Sequence, residues 1–221
     1  MVASTANFSA PPKTAEPARY PLFGRSEIVL YTVDDVLKMV SLGIIPEDST
    51  TELLDGVVVF KDRSDLGGDP RVHGKQHRLC VNLLTALVPR IANERRHVQI
   101  QLPLVCGEMH MPEPDFAIIR GSARDYADRF PTAADALVVI EVADSSLPRD
   151  SNRKLEIYAA ANIPQYLLIN LRNLTIEHYA DPDAASSAYR SKSTFTREQS
   201  LMLNGGTDGE NISVLAAEML P

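Results

Sequence analysis

Glu113-Pro114-Asp115-Phe116-Ala117-Ile118-Ile119 and Leu137-Val138-Val139-Ile140-Glu141-Val142-Ala143 are two apolar runs, each carrying one carboxylate at a polar break. A continuous run such as Leu137–Ile140 is the pattern of a strand buried on both faces, where an ionised Glu141 is costly unless something pairs with it. Two carboxylates brought together on neighbouring central strands repel each other, and a divalent cation between them removes that conflict. Hard oxygen ligands suit magnesium. Lys154 follows in a segment, Arg149–Ala161, that reads as a helix after the second strand. Two carboxylates and a lysine around a metal form a constellation able to cleave phosphodiesters. The competing reading of the same residues is an aspartate at a sheet edge and a salt-bridged Glu–Lys pair.

The rest of the chain bounds the answer. A length of 221 residues suits one domain plus tails, and 44% hydrophobic with 23% charged residues is ordinary for a soluble globular protein. The net charge of −7 argues against a broad basic surface that grips duplex DNA by electrostatics alone, while leaving room for a local basic stripe. Cys80 and Cys106 give neither a disulfide framework nor a CxxC pair, which fits a reducing cytoplasm. No run approaches the roughly 18 apolar residues of a membrane span, and the first residues lack the order of a secretory signal. A cytoplasmic protein without membrane contact is expected.

Residues 1–25 are rich in Ala, Pro, Ser and Thr and are expected to form a mobile arm; residues 26–221 are expected to form one α/β domain. Thr32 caps a helix with Asp35 at the box position, and 53–60 reads as a strand interrupted by Asp55-Gly56. Lys61–Pro70 is a polar loop. Leu79, Val81, Leu83, Leu84, Leu87, Val88 and Ile91 recur at helical spacing, with Pro89 bending or ending the helix near Val88. His97–Val105 alternates as a strand with Val98, Ile100, Leu102 and Leu104 on one face. Gln165–Asn170 and Leu174–Tyr179 read as a hairpin, Asp181–Ala188 as a loop, and Ser191–Thr196 and Glu198–Leu203 as edge strands.

Pro114-Asp115, then Glu141-Val142-Ala143, then Asp150-x3-Lys154-x3-Tyr158 follow one another in an order that resembles the Uma family of restriction-endonuclease-like proteins, within the PD-(D/E)XK nuclease superfamily. The likeness runs from about Tyr31 to Leu203 and includes Glu52-Leu53-Leu54-Asp55-Gly56, the helix containing His77, and Asn162-Ile163-Pro164-Gln165-Tyr166. It implies a restriction-endonuclease-like core, a mixed central β-sheet flanked by helices, and a magnesium- or manganese-dependent endonuclease acting on DNA. Asp115 matches the family's metal-binding aspartate and Glu141 the acidic residue of the second half. The superfamily lysine ordinarily lies two residues after that acid, where this chain has Ala143, so the resemblance moves the role to Lys154 on the following helix. The resemblance further implies the carbonyl of Val142 as a metal ligand, with Glu52 nearby. On this reading Lys154→Ala abolishes cleavage while sparing fold and metal binding, and Asp115→Asn leaves the metal-free fold intact or firmer.

Other residues stay open. Asp150, Lys154 and Tyr158 share one helix face at i, i+4, i+8, with Asp150 either a first-turn charge or an orienter of Lys154, and Tyr158 either core or site. Glu52 is either a metal-site acid or a surface glutamate at a helix end. His73 and His77 superficially form an HxxxH zinc pair, but no Cys or third His lies at a matching spacing, so His77 is retained only as a substrate contact. Lys75, Arg153, Arg71 and Arg78 are candidate phosphate contacts from their positions. There is no Gly-x-Ser-x-Gly elbow and no phosphate-binding Gly-x4-Gly-Lys loop, and Cys80 reads as core. A catalytically silent nuclease-fold protein that binds nucleic acid or a protein partner is the competing function, and a homodimer is left open.

Overall fold

The computed structural model describes residues 29–47, 49–60, 74–144, 149–206 and 211–221. The expected N-terminal arm, the Lys61–Pro70 loop, Arg71 and His73 lie outside the described residues. The chain runs α1 (Val33–Ser41), β1 (Thr51–Leu54), β2 (Val57–Phe60), α2 (Lys75–Ala86), α3 (Val88–Ile91), β3 (Arg96–Gln99), β4 (Phe116–Arg120), β5 (Ala136–Ala143), α4 (Leu155–Ala160), β6 (Gln165–Asn170), β7 (Thr175–Asp183), β8 (Ala188–Phe195), β9 (Ser200–Leu203) and β10 (Ile212–Leu215). Strands β3 to β8 form one six-stranded sheet in sequence order, and β1–β2 and β9–β10 are separate two-stranded ribbons. All neighbours in the large sheet are antiparallel except β5 and β6, which α4 joins as a parallel crossover.

Side-chain alternation on the central strands splits the core in two. Phe116, Ile118, Val138, Ile140, Val142, Leu167 and Ile169 face one layer, formed by α2, α3 and the C-terminal residues Ala216, Met219 and Leu220. Ala117, Ile119, Val139, Ala143, Tyr166 and Leu168 face the other, with Ile157 and Tyr158 of α4. All eight residues of β5 are buried. From Val139 onward the odd-numbered positions of β5 point toward α4, and Glu141 is one of them; an irregularity in the β4–β5 pairing puts Ala136 on that face and Leu137 on the other.

Several local signals act as the sequence reading expects. The Thr32 hydroxyl accepts from the Asp35 amide at 3.2 Å while the Asp35 carboxylate accepts from the Thr32 amide at 2.9 Å, so α1 starts with a full capping box. Asp55 and Gly56 have φ of 56° and 74°, the two left-handed positions of a tight hairpin turn between β1 and β2. A Cβ at Gly56 would lie 2.6 Å from Met109 and 2.8 Å from Leu30, so close packing as well as conformation requires glycine there. Pro89 sits in the first turn of α3, where its missing N–H costs nothing, so the helix restarts rather than ends. Asn162, with φ 57°, closes α4: the Asn162 amide donates to Ala159 O and the Ile163 amide to Tyr158 O, both at 3.0 Å.

The structure corrects four expectations. β3 stops at Gln99 instead of running to Val105, because Gln101 turns left-handed at φ 52° ahead of Pro103; Leu102 consequently lies 49% exposed while Leu104 is buried. The buried stripe of α2 runs through Cys80 and Leu84, leaving Leu79 exposed. Half of the expected Asp181–Ala188 loop is strand, with Pro182 opposite Tyr189 and Asp183 opposite Ala188, and only 184–187 form the turn. Leu201 and Leu203 belong to a ribbon with β10, whose four residues carry too short a pattern to stand out from sequence.

The entry to β5 is fixed by a second cap. Asp135 accepts from the Thr132 amide at 2.8 Å and from Arg129 Nη1 at 2.8 Å. The Arg129 hydrogen bond, with lesser help from Thr132, holds the Asp135 carboxyl below the ordinary 3.8. A depressed folded value means stabilisation that is fully present above the unfolded value and lost as pH falls through the folded one. Asp135→Asn should therefore cost about 1 kcal/mol at neutral pH. In urea unfolding the gap between the two proteins should narrow progressively as pH drops below 3.8.

Candidate active site

Glu141 projects from β5 against α4, where Lys154 and Tyr158 lie one turn apart on the same face. A π-helical segment over Arg149–Lys154 winds directly into α4 and delivers Lys154 at its start. Tyr158 OH donates to Glu141 Oε1 at 2.7 Å, and Lys154 Nζ donates to the same oxygen at 2.9 Å. The ammonium also lies 2.8 Å from Glu52 Oε1, and the Lys154, Glu52 and Glu141 side chains are 3%, 0% and 4% exposed. Glu52 lies within β1, and its Oε1 accepts the backbone N–H of Glu113 at 2.8 Å. One ammonium thus stands between two buried carboxylates, and one of these reaches the strand entry that carries Asp115.

Asp115 immediately precedes β4, the neighbour of β5. Its Oδ2 accepts the Val142 amide at 2.9 Å, which places it against the residue following Glu141. Its Oδ1 accepts Gln101 Nε2 at 3.1 Å and lies 3.3 Å from His77 Nε2 of α2. Three separate segments, the turn after β3, α2 and β5, therefore converge on this one carboxylate. Behind Glu141 a row of tyrosine rings crosses the sheet, with centroids 5.1 Å apart for Tyr158–Tyr166 and 5.8 Å for Tyr166–Tyr179.

Burial, and then the Glu141 charge, push the Tyr158 hydroxyl well above its ordinary range, so it remains a hydrogen-bond donor. Burial likewise raises both thiols, Cys80 to about 12 and Cys106 further, and keeps them protonated. Cys80 is wholly buried and donates to Met219 O at 3.1 Å, which makes it core.

Glu141, Lys154, Glu52 and Tyr158 meet in one cluster, and Asp115, His77, Gln101 and the Val142 amide in a second that adjoins it along the chain at Glu113 and Val142. Lys154 is not a solvated helix charge, and Glu52 is neither a surface residue nor outside the first strand. Arg153 is placed differently: its guanidinium forks onto Asp55 and meets Glu156 Oε2 at 2.5 Å, tying the β1–β2 turn to α4. Lys75 and Arg78 are exposed on the first turns of α2, near His77. The Asp150 side chain lies outside what is described. Gln101 is not among the residues the sequence singles out; Pro103, two residues on, is the one nearby sign that the strand does not continue.

Among the described residues no three His, Cys, Asp or Glu side chains stand at metal-ligand spacing. Magnesium keeps several waters and takes one or two carboxylates, so it does not require such a group. Glu141 already accommodates a positive charge at 2.9 Å, and Asp115 sits against the residue beside it. Carboxylate oxygens are donors that suit a hard cation, with Glu141 held by Lys154 and Tyr158 on the α4 side and Asp115 by His77 of α2 and the Val142 amide.

The architecture is a mixed six-stranded sheet flanked by helices, with one acid at the entry to β4, a second within the neighbouring β5, and a buried lysine over the second. Residues 34–214 match the model of the Uma2 family, described as "Putative restriction endonuclease", and the chain belongs to that family. The fold is that of a solved structure titled as a putative nuclease belonging to DUF820 from Anabaena variabilis. The two share 17% identity and a TM-score of 0.58 over 86% of this chain and 99% of that one. None of the curated proteins matches the sequence. No helix among the described residues is long and apolar enough to cross a membrane.

Proposed function

We propose that this protein is a magnesium-dependent endonuclease that hydrolyses phosphodiester bonds of DNA in the cytoplasm. The observation that carries the reading is the Lys154 ammonium, buried and 2.8–2.9 Å from Glu52 and Glu141, beside the strand junction where Asp115 meets Val142. Asp115 and Glu141, with the Val142 carbonyl, would hold magnesium or manganese, which when bound polarises the scissile phosphate and lowers the pKa of its water. Tyr158 and Lys154 both donate to Glu141 Oε1 and so fix the plane of that carboxylate. Lys154 supplies positive charge where negative charge develops on the phosphoryl oxygens. Glu52 holds the ammonium from its other side. Lys75 and Arg78, exposed on α2, supply phosphate contacts in a chain of net charge −7.

The site itself favours a second reading at one point. A lysine already shared by two buried acids offsets their repulsion without a metal, as a silent binding module would require. Nicking of a supercoiled plasmid separates the two readings. The endonuclease reading predicts cleavage with magnesium, none with chelator, and none by Glu141→Gln. Plasmid binding without cleavage under every metal tested would favour the silent module, and cleavage of RNA alone would reassign the substrate.

A further inference from the structure

We infer that Gln101 is a positioning residue for Asp115, its side-chain amide holding that carboxylate in the orientation metal binding requires; this rests on the metal-dependent reading above. Gln101 has φ 52°, a left-handed conformation that is strained for a residue with a Cβ and unstrained for glycine. Among the other non-glycine residues with positive φ, Asp55, Asn162 and Asp181 are of types that tolerate this region, and Leu174 and Ser187 lie in the turns beside β7. Gln101 instead lies beside a candidate metal ligand, and backbone strain at such a place points to a function for the side chain.

The turn itself does not need glutamine. Its backbone N–H donates to Pro114 O at 3.1 Å and Asp115 O at 3.3 Å, contacts that any residue with this φ would make. What glutamine adds is Nε2, which donates to Asp115 Oδ1 at 3.1 Å. His77 Nε2 approaches the same oxygen at 3.3 Å, and the Val142 amide holds Oδ2 at 2.9 Å. With both oxygens engaged, the carboxylate is oriented before a cation arrives. Outer partners of this kind typically contribute 10–100-fold in metal affinity.

Gln101→Gly tests the inference, because it removes the amide and relieves the strain together. The melting temperature without metal should be unchanged or higher, while magnesium and manganese affinity, read by calorimetric titration, falls about 10–100-fold. Gln101→Glu sets a second carboxylate against Asp115 Oδ1. It should melt lower without metal and gain more than wild type on adding magnesium. Gln101→Gly binding both metals as tightly as wild type would overturn the positioning role and leave the metal site standing. A wild-type protein that binds neither metal would overturn the metal reading and this inference with it.

Discussion

Lys154→Met should lower the stability of the metal-free protein by about 3–5 kcal/mol, the cost of leaving buried charge without its partner. The ammonium sits 2.8 Å from Glu52 and 2.9 Å from Glu141, and all three side chains are at most 4% exposed, so water cannot take its place. This reverses the expectation that truncating a helix lysine spares the fold. Magnesium should restore part of the loss, since a ligand that binds only the folded state raises stability by mass action, and this cluster would then carry excess negative charge. Glu52→Gln in the Lys154→Met background should recover stability by removing one of the two opposed carboxylates. Denaturant unfolding of the three proteins, with and without magnesium, measures each effect. A Lys154→Met protein as stable as wild type would show that the buried ion pairs carry no net stabilisation.

Glu141→Gln should reduce cleavage by about a thousand-fold while costing no more than about 1 kcal/mol of stability. The amide oxygen can still accept from Lys154 and Tyr158, and Lys154 is left balanced by Glu52 alone. Asp115→Asn should match the loss of cleavage but fare worse in stability than its isosteric shape suggests. Its oxygen can serve the Val142 amide, but the amide nitrogen then faces Gln101 Nε2, a second donor, where the carboxylate oxygen accepted a bond. The earlier expectation of an intact or firmer fold for this variant therefore gives way to a modest drop in melting temperature. Single-turnover cleavage and thermal unfolding separate the two acids: similar activity, different stability.

The central strands were legible because burial on both faces leaves a continuous apolar run, and Glu141 stood out as a polar break within one. Lys154 and Tyr158 were legible as neighbours from their spacing, yet only packing decides which helix face turns inward. That Lys154 bridges Glu52 and Glu141 depends on where β1 docks, a contact across more than a hundred residues that local pattern does not carry. Gln101 was hidden for a different reason. Alternation in His97–Val105 implied a strand, and the break came from one residue's φ, which composition does not report. Arg153 shows the reverse error: a cation near a presumed metal site suggested phosphate, whereas Asp55 in the hairpin turn takes its guanidinium.

Manganese binding to the isolated protein, followed through the loss of the free-ion paramagnetic signal, tests the metal site most directly. The account predicts saturable binding by wild type that is abolished in both Asp115→Ala and Glu141→Gln, with the folded state of each variant verified by circular dichroism. Binding that persists undiminished in both variants, or no binding by wild type, would contradict a metal held between these two strands.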